Sequence, residues 1–207
     1  MHEGCNTSCT RALTFRKDGA AASPHTAAMS RNILVVNGHP DPRPERFCAA
    51  LCEAYADGAR ARGCATQRLD VGALDLTALA MASDAEALDG MEQAFRLVRG
   101  ADRLAIVYPL WADGPPAPLR QMFDYVSRLG AHLNPLMPQA KAARVVVTTA
   151  LPAFLYRGKL AEDSRAPLSL CGVAAGEPVF IGSVDAISCE QRKRWLEQIR
   201  EFGASLS

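Results

Sequence analysis

The chain has 207 residues, 49% of them hydrophobic, and a formal net charge of +1; it can bury one full core and has no broad field to attract a phosphate backbone. Its basic residues are spread out, which argues against nucleic acid as a partner, and no apolar run is long enough to span a membrane. The seven cysteines show no C-x-x-C pair and no regular spacing, a usage expected of scattered thiols in a reducing cytoplasm rather than of a disulfide framework.

Residues 1–30 hold no periodic apolar pattern and no continuous apolar stretch of the secretory kind, so a disordered tail is expected there, followed by one domain over residues 31–207. Met29-Ser30-Arg31, directly before the first strand, suggests that translation begins at Met29. Ile33-Leu34-Val35-Val36 is a short continuous apolar run, the mark of a strand buried on both faces. A helix is expected from about Glu45 to Arg62, stopped by Gly63 in the left-handed conformation. Cys48 and Cys52 share one turn of it, and no nearby His or second Cys pair completes a metal site.

Thr66 to Val71 is a weaker strand, and Ser83-Asp84-Ala85-Glu86 is a capping-box pattern that opens a helix ending near Gly100. Arg103 to Tyr108 is the third strand, and the apolar stripe Leu119, Met122, Phe123 and Val126 marks a helix over Pro115 to Leu129. Arg144 to Thr149 is a Val-rich fourth strand, Pro152 to Leu170 a broken helix, and Pro178 to Ile181 a short fifth strand. Ser188-Cys189-Glu190-Gln191 is another capping box, opening a final helix with Trp195, Ile199 and Phe202 on one face. Strands alternating with helices predict an α/β fold: a doubly wound, five-stranded parallel sheet with helices on both faces.

In such a sheet ligands sit beyond the carboxyl ends of the central strands. After the first strand, three prolines alternate with His39, Asp41, Arg43 and Arg46 before a helix start, which predicts an anion cradle of helix N–H groups and positive side chains. After the third strand, Trp111 supplies a flat surface that suits an aromatic ring system. Each loop alone also fits a stiff turn or a Trp capping the core; their expected proximity favours a ligand.

The motifs G-H-P-x-P-x-x-x-R-F-C-x-A-L at Gly38 to Leu51, Y-P-L-W at Tyr108 to Trp111, P-A-x-L at Pro116 to Leu119 and V-V-V-T-T at Val145 to Thr149 together resemble the NAD(P)H-quinone oxidoreductase branch of the flavodoxin-like flavoproteins. The resemblance runs from about Arg31 to the end and includes W-L-E-Q-I-R at Trp195 to Arg200. It implies a flavodoxin-like domain holding FMN or FAD, with the flavin phosphate at His39, Arg46, Phe47 and Cys48. It lays Pro109, Leu110, Trp111 and Ala112 along the isoalloxazine ring, with Thr148, Thr149 and Ala150 at the other edge. It implies hydride transfer from NAD(P)H through flavin N5 to a quinone-like acceptor, with Trp111 and Tyr156 over the reacting site, in a cytoplasmic homodimer. The chain departs from the family at Ala112-Asp113-Gly114-Pro115-Pro116 and at Ala150-Leu151, where two glycines are usual.

Two other readings compete. His39-Pro40-Asp41 also looks like the H-P-D-D metal site of zinc-dependent deacetylases, but Pro42 stands where a second carboxylate is needed and His132 is the one later His. Some relatives of the family serve as regulatory subunits without catalysis, which the departures at Asp113 and Ala150 keep open.

Overall fold

β1 (Asn32–Asn37) is buried at every position after its first, because helices cover both of its faces. The computed structural model describes residues 31–74, 85–111, 114–132, 141–156, 168 and 173–205; the tail expected over residues 1–30, including Met29, and the Ser83-Asp84 half of the first capping box lie outside them. In chain order β1 is followed by α1 (Phe47–Ala61), β2 (Ala65–Asp70), α2 (Ala85–Gly100), β3 (Arg103–Leu110), α3 (Ala117–His132) and β4 (Lys141–Thr149). Two three-residue strands, β5 (Val173–Ala175) and β6 (Val179–Ile181), and a last helix α4 (Cys189–Ser205) complete the described chain. No helix among the described residues is long and apolar enough to cross a membrane.

The strands form one parallel sheet in the order β2-β1-β3-β4-β5, with β6 also paired to β4. Alternate residues of each strand face opposite ways, and the two cores follow that alternation. Ile33, Val35, Ala105, Val107 and Val146 pack with Leu51, Cys52 and Tyr55 of α1 and Ile199 of α4. Leu34, Val36, Leu104, Ile106, Val145 and Val147 pack with Met91, Phe95 and Val98 of α2 and Met122, Phe123 and Val126 of α3. The doubly wound α/β sheet predicted from the sequence is therefore present.

The expected fifth strand is in two pieces. Val173–Ala175 pairs with the start of β4 and Val179–Ile181 with its end, and the register on β4 slips by one residue between them. Gly176-Glu177-Pro178 supplies the extra residue, and Pro178 has no N–H to give to the ladder. Val173–Ala175 escaped sequence reading because three small residues in an Ala- and Gly-rich stretch show no period.

The ends of α1 and α4 match expectation. Gly63 has φ +79, with its N–H bonded to the Arg60 carbonyl at 2.9 Å and the Cys64 N–H to the Ala59 carbonyl at 3.2 Å, a left-handed stop that satisfies the last carbonyls of α1. At α4 the Gln191 side chain accepts from the Ser188 N–H at 2.8 Å while the Ser188 hydroxyl accepts from the Gln191 N–H at 3.2 Å, the predicted capping box.

Candidate functional site

The parallel strands bring their carboxyl ends to one edge, and polar groups are buried there. Asn37, fully buried at the end of β1, lies opposite Asp70 in the β1–β2 register and donates to its carboxylate at 2.7 Å. The Asn37 side-chain oxygen accepts the His39 N–H at 3.2 Å, so this one side chain ties the departing loop to the end of β2. Sequence reading did not single out Asn37 or Asp70; the signal is a polar residue ending each of two neighbouring strands.

The loop over residues 38–46 folds upon itself. The Asp41 N–H donates to His39 Nδ1 at 2.9 Å, and burial lowers the pKa of His39 further than its contact with the Asp41 backbone raises it. The ring is therefore neutral near pH 7 and brings a donor rather than a fixed charge. Arg43 and Arg46 both converge on the Asp41 carboxylate, with Arg43 Nε at 2.9 Å from Oδ1 and Arg46 Nε at 2.7 Å from Oδ2. Hydrogen bonds from the two guanidinium groups hold the Asp41 carboxyl well below the usual carboxylate range. The two positive side chains read from the sequence do converge, on a carboxylate the same loop supplies.

Beyond them α1 begins. Arg46 precedes its first turn in an extended conformation without a side-chain cap, and the first intrahelical bond runs from the Ala50 N–H to the Arg46 carbonyl. The N–H groups of Phe47, Cys48 and Ala49 stand ahead of that bond, the orphan donors of a helix start. The Phe47 ring is covered by Arg192 of α4, whose guanidinium carbon lies 4.9 Å from the ring centre. The Cys48 thiol points into the core, 3.4 Å from the Thr148 hydroxyl, and burial raises its pKa to about 11. Any contact from Cys48 to an anion therefore runs through its backbone.

On the β3 side Pro109 and Leu110 end the strand, and Trp111 exchanges backbone hydrogen bonds with Gly114, at φ +97, to close a tight turn. Trp111 is 52% exposed. Ala112 and Asp113 lie outside the described residues. On the β4 side Thr148 and Thr149 are buried and Ala150 is exposed; the Thr149 hydroxyl donates to the Leu151 carbonyl at 2.7 Å. A 3₁₀ turn follows over Ala153–Tyr156, within the span of the predicted broken helix; Leu151 just before it and Phe154 and Leu155 within it expose their side chains. The Tyr156 side chain lies outside the described residues. The β3–β4 register ends at Leu110 opposite Thr149, so Trp111 and Ala150 leave the sheet side by side.

The structure thus brings His39, Arg46, Phe47, Cys48, Pro109, Leu110, Trp111, Thr148, Thr149 and Ala150 to one edge of the sheet. Beside them stand Leu151, noted above only as a departure from the family pattern, and Phe154 and Leu155, which sequence reading did not single out. Among the described residues no group of three or more His, Cys, Asp or Glu could hold a metal ion; the His132 side chain lies outside them.

An open parallel sheet in the order 2-1-3-4-5, with its polar loops at the carboxyl ends, defines a flavodoxin-like protein. Residues 31–202 match the sequence model of the family described as having a flavodoxin-like fold, and the chain belongs to that family. Among solved structures it is similar to an NAD(P)H:quinone oxidoreductase from Methanothermobacter marburgensis, at 19% identity over 86% of this chain and 97% of that one, with a TM-score of 0.63. It is also similar to Smu.1420 from Streptococcus mutans UA159, at 21% identity, covering 84% and 99%, with a TM-score of 0.62. An NADH:FMN oxidoreductase in its apo form aligns at 21% identity over 86% and 91%, with a TM-score of 0.60. No curated protein matches the chain. The flavodoxin-like resemblance carried by the loop motifs is borne out at the level of family and fold.

Proposed function

We propose that the chain binds a flavin, FMN or FAD, and acts as an NAD(P)H oxidoreductase that passes a hydride from NAD(P)H to a quinone-like acceptor. The observation that carries this reading is where the apolar surface falls. The large hydrophobic side chains exposed among the described residues are Trp111, Leu151, Phe154 and Leu155, all at the carboxyl ends of β3 and β4. An apolar rim beside an uncapped helix start suits a ligand with a flat ring at one end and a phosphate at the other. The names of the similar solved structures, an NAD(P)H:quinone oxidoreductase and an NADH:FMN oxidoreductase, support the same class.

In this reading the N–H groups of Phe47 and Cys48 and the guanidinium of Arg46 hold the phosphate, and the neutral His39 ring adds a donor. Pro109, Leu110, Trp111 and Ala112 lie along the ring, and Thr148, Thr149 and Ala150 close its other edge. Bound flavin would supply the two-electron chemistry, hydride transfer through N5. The chain's part is to position and to exclude water, with Trp111 and Tyr156 over the reacting face. A second copy of the chain covers the rest of the apolar rim, and the protein works in the cytoplasm.

The second reading, a regulatory subunit without catalysis, is favoured by the Asp41 carboxylate, which engages both arginines of the cradle. One spectrum separates the two. Protein incubated with FMN or FAD and then desalted is expected to stay yellow and to bleach when NADPH or NADH is added without oxygen. A colourless sample supports the regulatory reading and removes the enzymatic one.

A further inference from the structure

One side chain of α4 reaches back to the proposed site. The capping box at Ser188 fixes the start of this helix, and the Arg192 N–H donates to the Ser188 carbonyl at 2.9 Å, which places Arg192 in the first turn. Arg192 is half-buried, and its guanidinium touches two parts of the chain that lie far apart in sequence. Its Nη2 donates to the Val184 carbonyl at 2.7 Å, and its central carbon lies 4.9 Å from the centre of the Phe47 ring. A planar guanidinium can do both at once, because its face stacks on a ring while its N–H groups donate in the plane.

Phe47 is the first residue of α1, so its backbone N–H is one of the orphan donors to which the phosphate is assigned above. Val184 serves the other half of the site. It lies in the loop between β6 and α4, where the Val184 N–H donates to the Thr149 carbonyl at 3.1 Å and the Ser183 N–H to the Leu151 carbonyl at 3.0 Å. Both acceptors stand where β4 leaves the sheet, at the exposed apolar rim. Ser183 meets them at φ +55, a left-handed conformation that strains a residue with a side chain and persists where its neighbours hold it. The Cys48 thiol and the Thr148 hydroxyl, 3.4 Å apart, also join α1 to β4, but a thiol is a weak donor.

We infer that Arg192 is a positioning residue of the proposed flavin site, clamping the start of α1 to the loop at the end of β4 through Phe47 and Val184 and so fixing the spacing of the two halves. The consequence for binding rests on the flavin reading above; the clamp itself does not. FMN carries its ring and its phosphate at opposite ends of a flexible chain. A site that already holds its two halves at a set spacing binds such a ligand with less ordering cost than one that must assemble them. Riboflavin lacks the phosphate, engages the ring half and gains little from that spacing.

The full-length protein tests this with and without ligand. Arg192→Met keeps an unbranched stem and removes the planar fork. In the free protein this variant is expected to raise amide hydrogen exchange about tenfold both at the start of α1 and in the loop over residues 182–187, while α2 keeps the parent rate. A rise in one segment alone, or in neither, overturns the clamp. With ligand, the same variant is expected to bind FMN about tenfold more weakly and riboflavin within about twofold of the parent. Equal losses for both flavins, or no loss, overturn the positioning role. Arg192→Lys keeps the charge without the fork and is expected to recover little of the FMN affinity; full recovery would assign a charge effect on the phosphate and overturn the clamp. Should Arg192→Met fail to fold, Phe47→Leu removes the stacked ring instead and is expected to give the same pair of exchange changes. If the parent protein binds no FMN, the flavin reading fails and exchange alone decides the clamp.

Discussion

The loop after β1 and the loop after β4 leave the same edge of the sheet and solve opposite problems. The first is polar and self-satisfied: Asn37 ties it to β2, His39 folds onto the Asp41 backbone, and Asp41 gathers two arginines. The second is apolar and unsatisfied, exposing Leu151, Phe154 and Leu155 beside Trp111. Both are set on glycine. A Cβ on Gly72, just after β2, would lie 2.2 Å from the Pro40 carbonyl oxygen, and one on Gly182, just after β6, would lie 2.2 Å from the Ala153 nitrogen. Each loop therefore rests directly on the backbone that follows a neighbouring strand. The contrast teaches that the polar and the apolar halves of the proposed flavin site each rest on a backbone support of their own.

The largest effects are expected from removing those supports. Gly182→Val must push the Leu151–Ala153 backbone away and Gly72→Val the His39–Pro40 backbone, each at a cost of about 3 kcal/mol in urea unfolding. Unfolding midpoints that match the parent protein would show that the loops are not held this way. Next is Arg46→Ala, expected to weaken flavin binding tenfold or more in a fluorescence titration while the fold persists. Full occupancy in dilute solution would reduce the polar loop to a stiff turn. Phe154→Ser, on the apolar side, is expected to cost about 1 kcal/mol of flavin affinity; no change would detach the apolar rim from ring binding.

Asp41→Asn carries the opposite sign. Removing the carboxylate that occupies the arginines is expected to strengthen flavin binding several-fold, and a weaker complex would mean that Asp41 positions the arginines instead. The arginines hold the folded carboxyl below its unfolded value. Its pairing is thus present above the ordinary carboxylate range and is lost only as pH falls toward the depressed folded value. Its effect on flavin binding should be flat between pH 6 and pH 8, as titrations at several pH values would show. The smallest effect is kinetic. With a pKa of about 11 the buried Cys48 thiol should react with a disulfide reagent only on unfolding, whereas the exposed Cys189 reacts in the native protein. Mass mapping of the modified thiols checks this.

Much of the frame was legible because its signals are local. The apolar run of β1, the stop at Gly63 and the capping box at Ser188 each lie within a few residues and rest on backbone chemistry. The two halves of the last strand were not, because three-residue segments carry no period and the slip at Gly176 is visible only against β4. At the candidate site, the residue types around Arg46 and Trp111 pointed to the carboxyl-end edge of the sheet, where the structure gathers them. What they bond to did not follow. Asn37 meets Asp70 through parallel register across 33 positions, and Asp41 claims Arg43 and Arg46 through side-chain geometry that spacing does not encode. Phe154 and Leu155 fell within an expected broken helix with nothing to mark them as exposed, and the turn after β4 directs them outward.

The broken strand beside β4 has one more consequence, for how copies of this chain behave when crowded. A long, straight outer strand offers a continuous row of backbone donors and acceptors to any neighbour with a matching edge. Here that row comes in two runs of three residues, out of step by one, with a proline between them. A stray strand could bond to one run but not to both in the same register. Among the described residues this side of the sheet is thus a poor template for the edge-to-edge growth that leads to aggregates.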